Sequence, residues 1–269
     1  MLDQLEEQFL VDGFAVAPII GVKDRLQAAL PAFERLITNA EELGRMGRAK
    51  VRKSGFIEMD SIGWSWGCDH IYSPALREQV LLDLVSLSPI PSFVRRILGE
   101  RVRFSGGHGH WSPASYDYYL HWHRDTRRER WQLGNLDRRS HVQVCLALAE
   151  EAVVRIVPAS HLRDLEPWEH DYINANPHGE HPHQVIAQVP AGSALFLNTY
   201  TFHRAQCRKE TPRRSLHFGF TRVGSDPEPG RHGKVLEWLC DPDFLANQSE
   251  FLRKCIKEQI KEQATAMQA

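Results

Sequence analysis

From residue 99 onward the chain is a succession of short apolar runs separated by turn residues. The runs are RVRFSGG, SYDYYLHWH, SHVQVCLALA, VVRIVPAS, HQVIAQVPAG, SALFLNTYTFHRA and RRSLHFGFTRV. No helical pattern intervenes, and many consecutive short strands bury their apolar faces only by closing into a sandwich or barrel. That constraint sets the fold class: mainly β, with helices at the flanks.

The flanks are legible from periodicity. Residues 3–12 form a short amphipathic helix ended by Gly13, followed by the strand-like FAVAPII. Leu26, Leu30, Phe33, Leu36 and Ile37 fall at helical spacing across 22–44. Residues 45–68 are mixed and basic and read as loop. The stretch 73–98 is helical, split in two by Pro89 and Pro91. From 234 on the pattern is helical again. The expectation is a single domain, 1–269: a helical N-terminal part (1–98), a β core (99–224) and a helical C-terminal tail (225–269).

Several function classes drop out on composition. A net charge of −1 provides no field to draw the chain to nucleic acid or an anionic membrane. No apolar run reaches the roughly 18 residues of a membrane-spanning helix. The acidic opening MLDQLEEQFL is unlike a secretory signal, and the five cysteines, scattered and never spaced as CxxC, suit free thiols in a reducing cytoplasm.

The 14 histidines concentrate between His108 and His217, and histidine is the commonest metal ligand. Residues i and i+2 of a strand share a face, so in LHWHRDT His123 and Asp125 project together. His203, eighty residues later in TFHRA, offers a third ligand from another strand. Two imidazoles and one carboxylate leave coordination positions open for a chelating co-substrate and O₂, the arrangement of non-heme Fe(II) enzymes. Arg213 and Arg214 follow at the head of RRSLHFGF. A guanidinium is the bidentate partner that the far carboxylate of 2-oxoglutarate requires. Adjacent strand residues face opposite ways, so one arginine serves. Arg213 shares its face with Ser215, His217 and Gly219, Arg214 with Leu216, Phe218 and Phe220; the polar face favours Arg213, and both remain candidates.

These segments together resemble the phytanoyl-CoA dioxygenase family of Fe(II)/2-oxoglutarate oxygenases. The resemblance runs from about residue 5 to 223 through QFLVDGFAVAPII, His123-Arg124-Asp125, VVRIVPASHL, VPAGSALFLNTYTFHRA and TPRRSL. It implies a double-stranded β-helix (jelly-roll, cupin-like) core. It further implies iron on His123, Asp125 and His203, 2-oxoglutarate on Arg213, and Cys145 in the lining of the co-substrate pocket. The implied reaction is hydroxylation, or another oxidation, of an unactivated C–H bond, with succinate and CO₂ as co-products. Halogenating relatives carry a small residue where this chain has Asp125, which disfavours halogenation. Two departures are evident: the family's Pro-Gly-Ser-His reads Pro158-Ala159-Ser160-His161, and EEAVV lacks a common glycine.

His121, sharing a face with His123, allows a rival reading: a cupin-like metal-dependent isomerase or hydrolase on His121, His123 and His203. A non-catalytic ligand-binding relative is a second rival. His178, His181 and His183 in PHGEHPH read as an exposed loop, and His108, His110 and His217 as pocket or strand positions. Trp111, Trp122 and Trp131 read as pocket wall or core. Arg127, Arg128, Arg130, Arg138 and Arg139 fall in the loop after Asp125, which reads either as a solvated loop whose charges offset acidic helices elsewhere or as a basic rim of the site that selects a small anionic substrate.

Overall fold

The computed structural model describes residues 1–45, 51–54, 57–58, 61–62, 65–112, 117–125, 140–151, 153–210, 213–225 and 237–266. Its strands are β1 (Phe14–Pro18), β2 (Val51–Ser54), β3 (Ile57–Glu58), β4 (Ser61–Ile62), β5 (Ser65–Asp69), β6 (Val102–Trp111), β7 (Tyr118–Tyr119), β8 (His141–Ala147), β9 (Val154–Ile156), β10 (Val185–Ile186), β11 (Ser193–Asn198), β12 (His203–Cys207) and β13 (Arg214–Arg222). Its α-helices are α1 (Leu2–Asp12), α2 (Lys23–Arg45), α3 (Gln79–Asp83), α4 (Ile90–Leu98), α5 (Pro167–Ala175), α6 (Pro242–Ala246) and α7 (Glu250–Ala266).

A seven-stranded sheet runs β1-β11-β8-β13-β6-β5-β2, and a four-stranded sheet runs β10-β9-β12-β7. Alternation along the larger sheet explains how it is covered twice. Val142, Val144, Leu146, Phe196, Leu216 and Phe218 point outward and are buried with Phe9 of α1, Phe33 and Leu36 of α2, Phe93 of α4 and Ile256 of α7. Cys145, Ala147, Leu195 and Leu197 point inward and meet Val154 and Ile156 of the smaller sheet. Two sheets packed face to face, every ladder antiparallel, make the expected jelly roll.

Three findings depart from the sequence reading. The region before residue 99 supplies strands to the core: β1 pairs with β11, Phe14 opposite Leu197, and β5 and β2 extend the sheet beyond β6. The described residues between 51 and 68 are therefore strand where loop was expected. Burial against a neighbouring strand stabilises such mixed sequences where intrinsic preference is weak. Helix α5 lies between β9 and β10, where no helix was expected. It is started by Pro167 at its first position and by reciprocal bonds between the Glu166 and Glu169 ends.

Gly13 closes α1 with φ 85°. A Cβ there would lie 2.3 Å from Thr201 Oγ1 and 2.6 Å from His161 Nδ1, so only glycine allows the α1–β1 corner to press against the strand leading to His203. The C-terminal helix α7 lies on the outer face of β6, where Arg103 bonds Gln259 at 2.9 Å and pairs with Glu262 at 2.7 Å. No helix among the described residues is long and apolar enough to cross a membrane.

Candidate active site

The inward faces of the two sheets line an open cavity of about 600 Å³. His123 and Asp125 reach it from the extended segment after β7, and His203 from the first residue of β12. His123 and His203 are bridged by main-chain hydrogen bonds in both directions, each 2.9 Å, and Asp125 N–H donates to Thr199 O at 3.1 Å. These bonds bring the two segments into one register. His123 Nε2 lies 3.6 Å from Asp125 Oδ1, and His203 Nε2 lies 3.9 Å from Asp125 Oδ2. All three donor atoms fall within 4.8 Å of one another.

Each imidazole has a fixed tautomer. His123 Nδ1–H donates to His121 O and His203 Nδ1–H to Thr201 O, both at 2.8 Å. The Nε2 lone pairs are thereby left for the shared centre, as in metal sites where the second ring nitrogen is held by the main chain. Donor atoms each about 2.1 Å from one ion are at most about 4.2 Å apart, and both imidazole–carboxylate distances satisfy this. Burial opposes charge on Asp125, but the imidazoles of His203 and His123 outweigh it and hold the carboxyl at about 2. Burial, with His123 alongside, pushes His203 down to about 4. Burial also lowers His123, yet its bond and attraction to Asp125 prevail and raise it overall.

The two arginines diverge. Arg214 leaves the outer face toward α2, where its Nε meets Glu34 Oε1 at 2.5 Å. Arg213 is buried and lines the cavity. Its main-chain N–H donates to Ser112 Oγ at 2.6 Å, its Nε to Ser215 Oγ at 3.0 Å, and its Nη2 to His217 Nε2 at 3.0 Å. Because a guanidinium only donates, His217 Nε2 accepts and Nδ1 carries the proton. Gln143 Nε2 stands 2.8 Å from Nδ1; two donors cannot face each other, so the amide is assigned with its oxygen toward Nδ1. Burial, with His110 and Arg213 adding to it, keeps His217 neutral by pushing it far below the usual imidazole range. Cys145, opposite His217 in the β8–β13 register, also lines the cavity, its Sγ 3.6 Å from His217 Nδ1.

The other residues singled out from sequence separate by role. His121 lines the cavity and packs on His178, outside the cluster of three donors. His108 and His110 line it too, His108 bonding Asp69 at 2.8 Å. The PHGEHPH run is not simply an exposed loop: His181 is buried, 3.2 Å from Glu169 of α5. Trp111 belongs to the outer core, and Trp122 stacks on Phe202. Trp131 and the five arginines between 127 and 139 lie outside the described residues.

The Pro-Ala-Ser-His segment is structural. Ala159 stands in the left-handed region at φ 59° where the resembled family has glycine. Ser160 Oγ accepts from Phe202 N–H at 2.8 Å, just before His203, and His161 bonds Leu10 O at 3.2 Å. Arg124, between the two donors of His-Arg-Asp, reaches back to Ser160 O at 2.7 Å and Arg163 O at 3.1 Å. The segment thus clamps both stretches that carry the three donor atoms. Arg124, Gln143, Ser112 and Glu151 were not foreseen; only Arg124 carried a sequence signal, its place inside the motif.

No protein-family model and no curated protein sequence matches the chain. Among solved structures it is similar to AviO1 from Streptomyces viridochromogenes, at 18% identity and a TM-score of 0.61 over 84% of this chain and 97% of that one. It is also similar to SnoN of nogalamycin biosynthesis, described as a non-heme alpha ketoglutarate dependent epimerase, at 15% identity and TM-score 0.58 over 82% and 83%. HygX from Streptomyces hygroscopicus, solved with nickel, 2-oxoglutarate and hygromycin B bound, matches at 13% identity and TM-score 0.55 over 82% and 87%. What these similarities establish is the fold. It is the jelly roll with flanking helices.

Proposed function

We propose that the chain is an Fe(II)- and 2-oxoglutarate-dependent oxygenase of the kind its sequence resembles, the phytanoyl-CoA dioxygenase family. The observation that carries this is the convergence, in one cavity, of three donor atoms within 4.8 Å and a buried guanidinium. His123, Asp125 and His203 would hold Fe(II), and the donor set of two nitrogens and one carboxylate suits it. Arg213 would take the far carboxylate of 2-oxoglutarate, held in aim by Ser215 and the neutral His217. Bound together, metal, co-substrate and O₂ supply the oxidation of an unactivated C–H bond, with succinate and CO₂ formed.

The protein's own part is positional. Main-chain bonds fix both imidazoles, and the cavity walls would orient the substrate. Arg124 and the imidazoles of His108, His110, His121 and His141 line that cavity, which supports a small anionic substrate that is hydroxylated or otherwise oxidised. The place of His121 outside the donor cluster weighs against the cupin-like isomerase or hydrolase. The free thiols suit a reducing cytoplasm.

The test is anaerobic addition of 2-oxoglutarate to the Fe(II)-loaded protein, followed by admission of O₂. The reading expects a weak visible metal-to-ligand band, then succinate in the presence of O₂. Iron binding without a band contradicts it.

A further inference from the structure

Arg213 is not alone in its pocket. Glu151, in the turn between β8 and β9, brings Oε2 to 3.6 Å from Arg213 Nε, and the two side chains are 5% and 3% exposed. Its main chain is pinned to Val189 by reciprocal bonds of 2.9 and 2.8 Å, so the backbone that carries the carboxylate is fixed. The other groups facing it are the Cys145 thiol on β8, the Cys207 thiol on β12, and the Ser215 hydroxyl and Arg214 main-chain N–H on β13. Burial pushes both thiols up and keeps them neutral, and His217, beyond Arg213, is neutral as well. Within the pair, one carboxylate and one guanidinium cancel; the carboxylates of Asp125, beyond Cys145, and of Asp117, beyond Cys207, are the next charges out.

A second carboxylate on the same guanidinium breaks that balance. Two carboxylates sharing one buried cation cannot both stay ionised cheaply, and the less well solvated one takes up a proton. Glu151 is suited to be that one. Its Oε1 has no hydrogen-bond partner among the described residues, so protonation there displaces no donor. Burial already raises its carboxyl above the usual range despite the opposing pull of Arg213.

We propose that Glu151 makes 2-oxoglutarate binding proton-coupled: as the far carboxylate of the co-substrate settles on Arg213, one proton passes from solvent to Glu151. The inference rests on the oxygenase reading above. The sign follows from linkage. The bound state holds a proton that the free state lacks, so affinity is highest at low pH and falls as pH rises, by up to about tenfold per pH unit for one full proton.

The experiment titrates 2-oxoglutarate into anaerobic protein saturated with Fe(II) across roughly pH 6.5 to 8.5. The band reports Kd, and calorimetry in two buffers of different ionisation enthalpy counts protons. For the wild type, Kd is expected to climb with pH and the proton count to approach about one. In Glu151→Gln, binding near pH 8 tightens about tenfold, the profile flattens and the proton count falls to about zero. Glu151→Asp, which keeps the charge, retains the slope, separating charge from any loss of packing. A band with a flat wild-type profile, or a Glu151→Gln slope equal to that of the wild type, overturns the inference alone. Iron binding with no band at any pH overturns the oxygenase reading and this inference with it.

Discussion

The cluster of His123, Asp125 and His203 and the Arg213 pocket share one cavity, yet they are held by different means. His123, Asp125 and His203 are fixed by main-chain bonds to His203, Thr199, His121 and Thr201, all within or next to the segments that bear them. Arg213 is fixed by side chains gathered from separate segments: Ser112 just past β6, Gln143 on β8, Glu151 in a turn, and Ser215 and His217 on its own strand. A main-chain frame tolerates change in its neighbours. A side-chain frame couples every member to the others, and the charge added by a ligand is felt throughout.

The sharpest way to break this contrast is to remove one member from each side. Asp125→Ala is expected to cost at least about 100-fold in Fe(II) affinity, more than loss of a supporting residue usually does, and to abolish the 2-oxoglutarate band. Arg213→Ala is expected to lose the band, a change of about 2–5 kcal/mol in co-substrate binding, while isothermal titration still shows Fe(II) bound at nearly wild-type affinity. Equal loss of metal affinity in both variants would mean that the two regions are one network.

Next in size is the backbone frame itself. Gly13→Ala forces a side chain into a left-handed turn and against Thr201 and His161. A loss of about 3 kcal/mol in chemical denaturation is expected, with Fe(II) affinity falling as the strand to His203 shifts.

The pH dependence of metal binding is a smaller effect. A ligand proton must leave before the ion binds. Burial lowers His123, but its bond and attraction to Asp125 raise it overall, so of the three it is the one whose proton competes with metal; His203 sits at about 4 and Asp125 at about 2. Fe(II) affinity should therefore fall as pH drops below neutrality by about tenfold per unit, the slope of one proton. A slope of two would show that both imidazoles titrate together.

The smallest effect separates motif from function. Ala159 occupies a conformation that costs an L-residue roughly 1–2 kcal/mol. Ala159→Gly is expected to raise stability by about 1 kcal/mol and leave 2-oxoglutarate turnover unchanged.

The same contrast explains what could be read from sequence. The His-x-Asp pair follows from the two-residue period of a strand, and the opposite facing of Arg213 and Arg214 from the same period, so both were legible. The runs after residue 99 gave a sandwich or barrel because their alternation is local, and the family resemblance narrowed it to a jelly roll. Glu151, Gln143 and Ser112 carry no such signal, since their meaning depends on register between strands far apart in the chain. The strands between 51 and 69 were hidden for a related reason: β5 is stabilised by pairing with β6, β2 by pairing with β5, and β3 with β4. Helix α5 rests on an end motif in which glutamate stands where serine or threonine is usual.

The most direct test of the account is a crystal structure of the protein grown with Ni(II) and 2-oxoglutarate, with anomalous data collected at the nickel edge. The account requires one anomalous peak bounded by His123 Nε2, His203 Nε2 and an Asp125 carboxylate oxygen, with the far carboxylate of the co-substrate on Arg213. A peak that leaves out Asp125 in favour of His121, or a co-substrate carboxylate lying away from Arg213, would contradict it.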